Sequence, residues 1–443
     1  MATPAGAPAG RSLDRRIWAL AGPALLTLAA EPLYLLADTA VVGRLGADAL
    51  AGLAVAATLL LLVTGVFIFL TFGTAATVAR LLGAGRPEEA AQQSVQGLWL
   101  GLACGGAAAA VLAVFGAPLV RIVGAEPTVA DEALTYLRVS LAGLPAVCVA
   151  MAGTGALRGH LDTRTPLVVT VLANTANLAL ELLLVISLRW GLAGSAAGTV
   201  VAQWGAAAAY TTVVLRRYGT DGVPRRPDPV RIRSLAVVGR DLFVRTVALR
   251  VALTASTALA ARRGPVALAG YQVAFQWWAF LAYLLDALEA AAQSLVGHAL
   301  GAADRSGARR VAGRILAWSV GSGVVLGTVT LVLRDPVARL FTDDPAVIAV
   351  VVPSLVWVAV MQPVNGVAFA LDGVLVGAGD QRFLAGAMVA SLAVLLVAGA
   401  LTSAAGTPLW GLWLTISVFM ASRVLVLGFR YRTPRWERVG HPT

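Results

Sequence analysis

Twelve stretches of about 20 or more predominantly apolar residues follow one another along this 443-residue chain, and each is long enough to cross a hydrocarbon layer about 30 Å thick. They lie near 17–42, 50–79, 93–120, 134–157, 165–188, 191–215, 234–261, 266–297, 311–333, 347–376, 383–403 and 408–429. In lipid the backbone must satisfy its own hydrogen bonds, so runs of this length predict helices. The connections are too short for a soluble catalytic domain, a nucleotide-binding domain or a receptor head. With 58% apolar and 13% charged residues, the chain is expected to be an all-α, polytopic membrane protein. The first run follows Arg11, Arg15 and Arg16 as a signal peptide would, yet it continues past Asp38 and eleven more follow, so it is expected to be the first span.

All 34 basic residues are Arg, against 23 acidic ones. In a membrane protein such an excess belongs to loops near anionic lipid, and no nucleic-acid partner is expected. Twenty-three Arg fall on the side of both termini and seven on the other. Arg resists translocation, so both termini are expected to be cytoplasmic, in a multi-pass protein of the cell (inner or plasma) membrane. Cys104 and Cys148 sit inside apolar runs, where neither a disulfide framework nor a metal cluster is expected.

The one long connection, Arg216 to Arg240, carries Pro224, Pro227 and Pro229 and lies at the middle of the chain. The segments on its two sides repeat at an offset of 218: Leu50-Ala51-Gly52 returns as Leu268-Ala269-Gly270, Leu82-Gly83-Ala84 as Leu300-Gly301-Ala302, and Gly159, Asp162 and Arg164 as Gly377, Asp380 and Arg382. Trp190-Gly191-Leu192 returns as Trp410-Gly411-Leu412, offset by 220. Six spans per half give parallel repeats related by a pseudo-two-fold along the membrane normal, an architecture that permits alternating access. The expected organisation is a tail at 1–16, a six-helix bundle at 17–215, an Arg/Pro-rich linker at 216–233, a second six-helix bundle at 234–429 and a tail at 430–443.

An ionisable group inside the bilayer costs about 2.5 to 3.5 kcal/mol or more, so each asks for a partner or a function. The first half has Glu31, Asp38, Arg138 and Glu181; the second has Arg245, Arg250, Asp286, Glu289, Asp372 and Arg423. The acids are not duplicated: at offset 218, Asp38 meets Ser256, Glu181 meets Gly399 and Asp372 meets Thr154. In the second half Arg245 and Arg250 are expected to neutralise Asp286, Glu289 or Asp372, although Asp286 and Asp372 also qualify as cavity-lining acids. In the first half, Asn174, Asn177 and Glu181 stack on one helix face, an oxygen-rich stripe that can hold Na⁺, share a proton or serve as an interhelical hydrogen-bond patch. Asp38 follows Pro32, which disposes its helix to bend, so protonating that acid can bias two helix shapes. Glu31, seven residues earlier, is a relay or cavity-lining candidate.

Glu31-Pro32-Leu33 and Asp38-Thr39-Ala40-Val41-Val42-Gly43-Arg44-Leu45-Gly46 resemble the first span of multidrug and toxic compound extrusion (MATE) transporters, especially the DinF-like branch. Arg158-Gly159 with Asp162-Thr163-Arg164-Thr165-Pro166-Leu167, Arg240-Asp241 through Arg245-Thr246, Leu295-Val296-Gly297, and Asp372-Gly373 through Gly377-Ala378-Gly379-Asp380 extend the resemblance over nearly the whole chain. It implies a twelve-helix secondary exporter exchanging an organic solute, an amphipathic cation or hydrophobic drug, for H⁺ or Na⁺, without a cofactor. It also implies a cation-coupling site, with possible Na⁺, at Asp38, Asn177, Glu181 and Thr199. Relatives carry Asp where this chain has Glu181, and the NorM branch carries Glu in the seventh span, where this chain has Arg245 and Arg250. A flippase for a lipid-linked precursor is the alternative of the same architecture. A membrane-embedded enzyme is not expected: His160, His298 and His441 lie in loops or the tail, and no metal-ligand spacing occurs. Expected partners are a small-molecule substrate and membrane lipid, with the protein a monomer.

Overall fold

The computed structural model describes residues 10–122, 126–219 and 223–440, without the side chains of 10–11, 31–37 and 40. Its helices are α1 (Gly10–Val42), α2 (Ala47–Val66), α3 (Phe69–Gly83), α4 (Pro87–Ile122), α5 (Pro127–Ser140), α6 (Leu144–Gly159), α7 (Arg164–Glu181), α8 (Gly191–Val213), α9 (Pro229–Ala261), α10 (Pro265–Gly301), α11 (Arg305–Phe341), α12 (Pro345–Gly377), α13 (Gln381–Ala404) and α14 (Leu409–Arg432). Among the described residues ten stretches are individually long and apolar enough to cross a membrane, with α2–α3 and α5–α6 each counted as one. Together with α1 and α8, whose apolar run is diluted by Gly, Thr and Gln, they make the twelve crossings of the fold.

Helix starts follow local chemistry. Proline, with no backbone donor to lose, opens α4, α5, α9, α10 and α12. Asp304 accepts from the Gly307 amide at 2.7 Å, Asp344 from the Ala346 amide at 2.8 Å and Asp228 from the Val230 amide at 2.9 Å, each satisfying a free donor of a first turn.

The contacts divide the chain into two compact units, one of Leu26–Gly239 and one of Arg240–Thr443 with the chain up to Leu25. The division falls inside α1, later than the residue 17 boundary expected from hydropathy. The early turns of α1 pack with the second half: Asp14 accepts from Arg314 at 2.6 Å and from the Trp318 indole at 2.8 Å, and the Trp18 and Trp318 rings meet edge to face 5.2 Å apart. Asp14 is held down to about pKa 2 by those two donors.

Backbone geometry carries the repeat further than the sequence does. Positive φ angles occur in register 218 apart, at Gly46 and Gly264, Gly85 and Ala303, and Leu161 and Gly379. A Cβ added at Gly105 would stand 2.6 Å from the Leu144 carbonyl oxygen, and one at Gly323 2.5 Å from that of Gln362, the equivalent partner. Gly155 likewise abuts Thr71 and Gly373 abuts Glu289. Helices at these crossings meet backbone to backbone, which only glycine allows. The units differ in continuity. In the first, α2 gives way to α3 around Phe67 and Ile68, and a turn at Leu141–Gly143 separates α5 from α6. In the second, α10 and α12 run unbroken, α12 through Pro353 and Pro363.

Candidate functional site

Within the first unit, α1, α7 and α8 bring together the acids and neutral oxygens that the sequence singled out. Asp38, 4% exposed, accepts a hydrogen bond of 3.3 Å from the Ser195 hydroxyl of α8. Glu181, with no exposed surface, lies beside Asp38 and Ser195, yet neither of its carboxylate oxygens has a hydrogen-bond partner of normal geometry. No arginine reaches it within ion-pair distance among the described residues. One turn earlier on α7, Asn177 faces Thr199 of α8: its amide donates to the hydroxyl at 3.3 Å and its carbonyl oxygen lies 3.4 Å from that hydroxyl. α7 ends at Glu181, and a wider π-helical turn takes over at Leu182–Ser187. Turns of this kind interrupt regular helices, often at working residues.

Two cavities adjoin this cluster. One, of about 230 Å³, is lined by Asp38, Tyr136, Ser140, Thr199 and Gln203. The other, of about 310 Å³, is lined by Asn174, Asn177, Thr199, Gln203 and Thr71 among others. Thr199 and Gln203 therefore border both. Gln203 gains its place because Gly143, in the turn between α5 and α6, has no side chain to collide with the Gln203 amide oxygen. Asn174 donates to the Ala30 carbonyl of α1 at 3.4 Å, two residues before Pro32.

Asp38, Asn177, Glu181 and Thr199 are thus assembled in one place, with Asn174 at its edge. Glu31 lies outside the described side chains. Sequence reasoning passed over Ser195, Tyr136 and Gln203. Ser195, Thr199 and Gln203 are spaced by four, a polar stripe on an otherwise apolar helix, and that periodicity was there to be found.

The second unit fills its interior differently. Asp372 of α12, 1% exposed, accepts from Arg245 of α9 at 2.7 Å and from Arg423 of α14, while Arg245 also lies 3.6 Å from Glu289 of α10. Arg423 is further packed over the Phe369 and Phe419 rings. The expected pairing holds for Arg245, but its companion is Arg423: Arg250 is exposed. Asp372 is an ion-pair centre rather than a surface-lining acid. Asp286 is partly buried one turn before Glu289 on the same face of α10, within the electrostatic reach of Arg245.

A chain of twelve crossings, built as two repeated helical units with a buried polar cluster, is a multi-pass membrane transporter. The family model described as MatE matches residues 23–183 and 243–402, and the chain belongs to that family. Protein DETOXIFICATION 44, chloroplastic, of Arabidopsis thaliana is 33% identical, covering 96% of this chain and 84% of its own. DNA damage-inducible protein F of Escherichia coli (strain K12) is 29% identical over 95% and 92% respectively. The solved structure of a MATE in the bent conformation superposes with a TM-score of 0.88 at 20% identity, covering 96% of each chain. The protein is accordingly a MATE-family efflux transporter of small molecules and not an enzyme; the family draws on ion gradients and needs no cofactor.

Proposed function

We propose that the protein is an antiporter that moves amphipathic cations or hydrophobic compounds out of the cytoplasm in exchange for H⁺ or Na⁺, with Asp38, Asn177, Glu181 and Thr199 as the coupling site. The observation that carries this reading is the burial of Asp38 and Glu181 side by side, next to the Asn177–Thr199 pair and away from any arginine on Glu181. Two carboxylates in one buried place repel each other, and a proton or a Na⁺ among these oxygens relieves the repulsion. Loading and unloading that cation then changes which partners α1, α7 and α8 prefer. If cation and solute favour opposite states, exchange follows from linkage. The Arg asymmetry of the loops supports cytoplasmic termini and a cell-membrane location, and the working form is a monomer.

The test uses proteoliposomes containing a fluorescent cationic drug, with an imposed pH or Na⁺ gradient. Wild-type protein should drive flux under one gradient, and Asp38→Asn should abolish that flux while still binding drug. Flux that ignores both gradients, or an unimpaired mutant, overturns the coupling site.

A further inference from the structure

Between α4 and α8 of the first unit runs a groove of about 520 Å³, bordered by Leu98, Trp99 and Leu102 on one side and Trp204, Ala208 and Leu215 on the other. Apart from threonines of α8, the only polar side chain at its border among the described residues is Arg225, from the Arg/Pro-rich connection that precedes α9. That connection is tied down beside the groove through its backbone. The Trp99 indole donates to the Arg225 carbonyl at 2.9 Å, the Gln96 amide donates to the Arg226 carbonyl at 3.0 Å, and Gln96 accepts from the Asp228 amide at 2.8 Å. The second tryptophan is fixed as well, its indole donating to the Ala142 carbonyl at 2.9 Å. The groove is therefore a preformed feature with two half-exposed indoles on its rim.

The arginines nearby divide into two groups. Arg217 is held by Asp162 at 2.9 Å, and Arg231 lies near Asp228 at 3.5 Å and Glu89 at 3.8 Å. Arg225 and Arg226 are both exposed and form no ion pair among the described residues, their backbone carbonyls held by Trp99 and Gln96, and of the two only Arg225 borders the groove. An exposed guanidinium on a pinned backbone, with no ion pair among the described residues, at the mouth of an apolar trough on a membrane protein, matches one chemistry: an anionic headgroup joined to a long hydrocarbon chain. Guanidinium pairs with phosphate oxygens two at a time, indoles settle at the headgroup level, and basic residues beside a spanning helix draw anionic lipid.

We propose that this groove binds one anionic phospholipid, with an acyl chain between α4 and α8 and its phosphate against Arg225. The lipid joins the connection between the repeats to the helices of the first unit, on a surface separate from the Asp38–Glu181 cluster.

Delipidated full-length protein titrated with phosphatidylglycerol or phosphatidylcholine and weighed by native mass spectrometry provides the test. The wild type should retain one phosphatidylglycerol with about tenfold preference over phosphatidylcholine, as a charge-assisted contact worth about 1.4 kcal/mol confers. Arg225→Gln should erase the preference, Arg233→Gln, an exposed arginine off the groove, should keep it, and Ala208→Trp, at an exposed position, should prevent retention of either lipid. Equal retention of both lipids by the wild type, wild-type behaviour of Arg225→Gln, or undiminished phosphatidylglycerol on Ala208→Trp each overturns the proposal. So does a hydrophobic dye that Ala208→Trp excludes while phosphatidylglycerol stays bound, since the groove is then a solute path.

Discussion

The two units share a backbone plan and part company in what they bury. In the first, Asp38 and Glu181 adjoin hydroxyl and amide groups; in the second, Asp372 is clasped by Arg245 and Arg423, with Glu289 beside them. An acid clasped by guanidiniums of the same chain has no need of a mobile cation, and on the proposed coupling reading it is the Asp38–Glu181 pair that takes one. Both units carry the helix plan, the crossing glycines and left-handed turn positions, while the continuity of the helices and the polar filling diverged. The comparison teaches that one backbone plan can house buried acids in two ways, clasped by arginines or set beside hydroxyl and amide groups, and it is the second arrangement on which the proposed cation exchange rests.

The largest effect that tests this contrast is on stability. Asp372→Asn leaves two buried guanidiniums without their shared acid and should destabilise by about 3–5 kcal/mol, read as a large drop in melting temperature in detergent. Asp38→Asn should move that temperature little while abolishing driven flux. Similar melting losses for both variants would erase the distinction between an ion-pair centre and an exchange site.

Next come the crossings that the units hold in common. Gly105→Ala and Gly323→Ala each push a methyl group into a partner carbonyl, and each should cost about 1–3 kcal/mol. A loss confined to one of the two would show that the repeat is geometric but not energetic.

A smaller effect is specific to the first unit. His160, in the loop after α6, stacks on Tyr218 with centroids 3.7 Å apart and lies 3.3 Å from the Ser94 hydroxyl. Burial pushes its imidazole down to about pKa 4 from 6.5. The folded chain thus keeps His160 neutral where the unfolded chain would protonate it. Its contribution is intact above pH 6.5 and lost as the pH falls toward 4. His160→Gln should flatten that part of a melting-temperature profile against pH; an unchanged slope would dismiss the assignment. Ala378 stands at the equivalent place in the second unit, so that loop carries no counterpart of His160.

The smallest change is expected from Arg250→Met, within about 0.5 kcal/mol because the side chain is exposed. Arg423→Met, by contrast, should be readily measurable. A large loss from Arg250→Met would mean that it shares the burden assigned to Arg423.

Much of this was legible in the residues themselves. The expected spans agree with the helices to within several residues at their ends, since hydropathy and chain length alone decide what can cross a bilayer. Asn177 and Glu181 were recognisable as a unit because residues four apart share a helix face. Arg245 and Arg250 are five apart, which turns them about 140° from each other on a helix, so both could not face the same acids. That arithmetic argued against Arg250, and nothing local pointed to Arg423, which comes from a helix more than 170 residues away in sequence.

The sequence by itself determined the twelve crossings, the duplication at offset 218 and the short list of intramembrane charges, because hydrophobicity, periodicity and repetition are properties of a chain read along its length. Tertiary structure alone decided that Ser195 serves Asp38, that Gly143 makes room for Gln203 and that Asp372 is shared by two arginines. Those outcomes depend on how each helix is rotated about its axis and how deeply it sits against its neighbours. Close packing settles both for all the helices of a unit together.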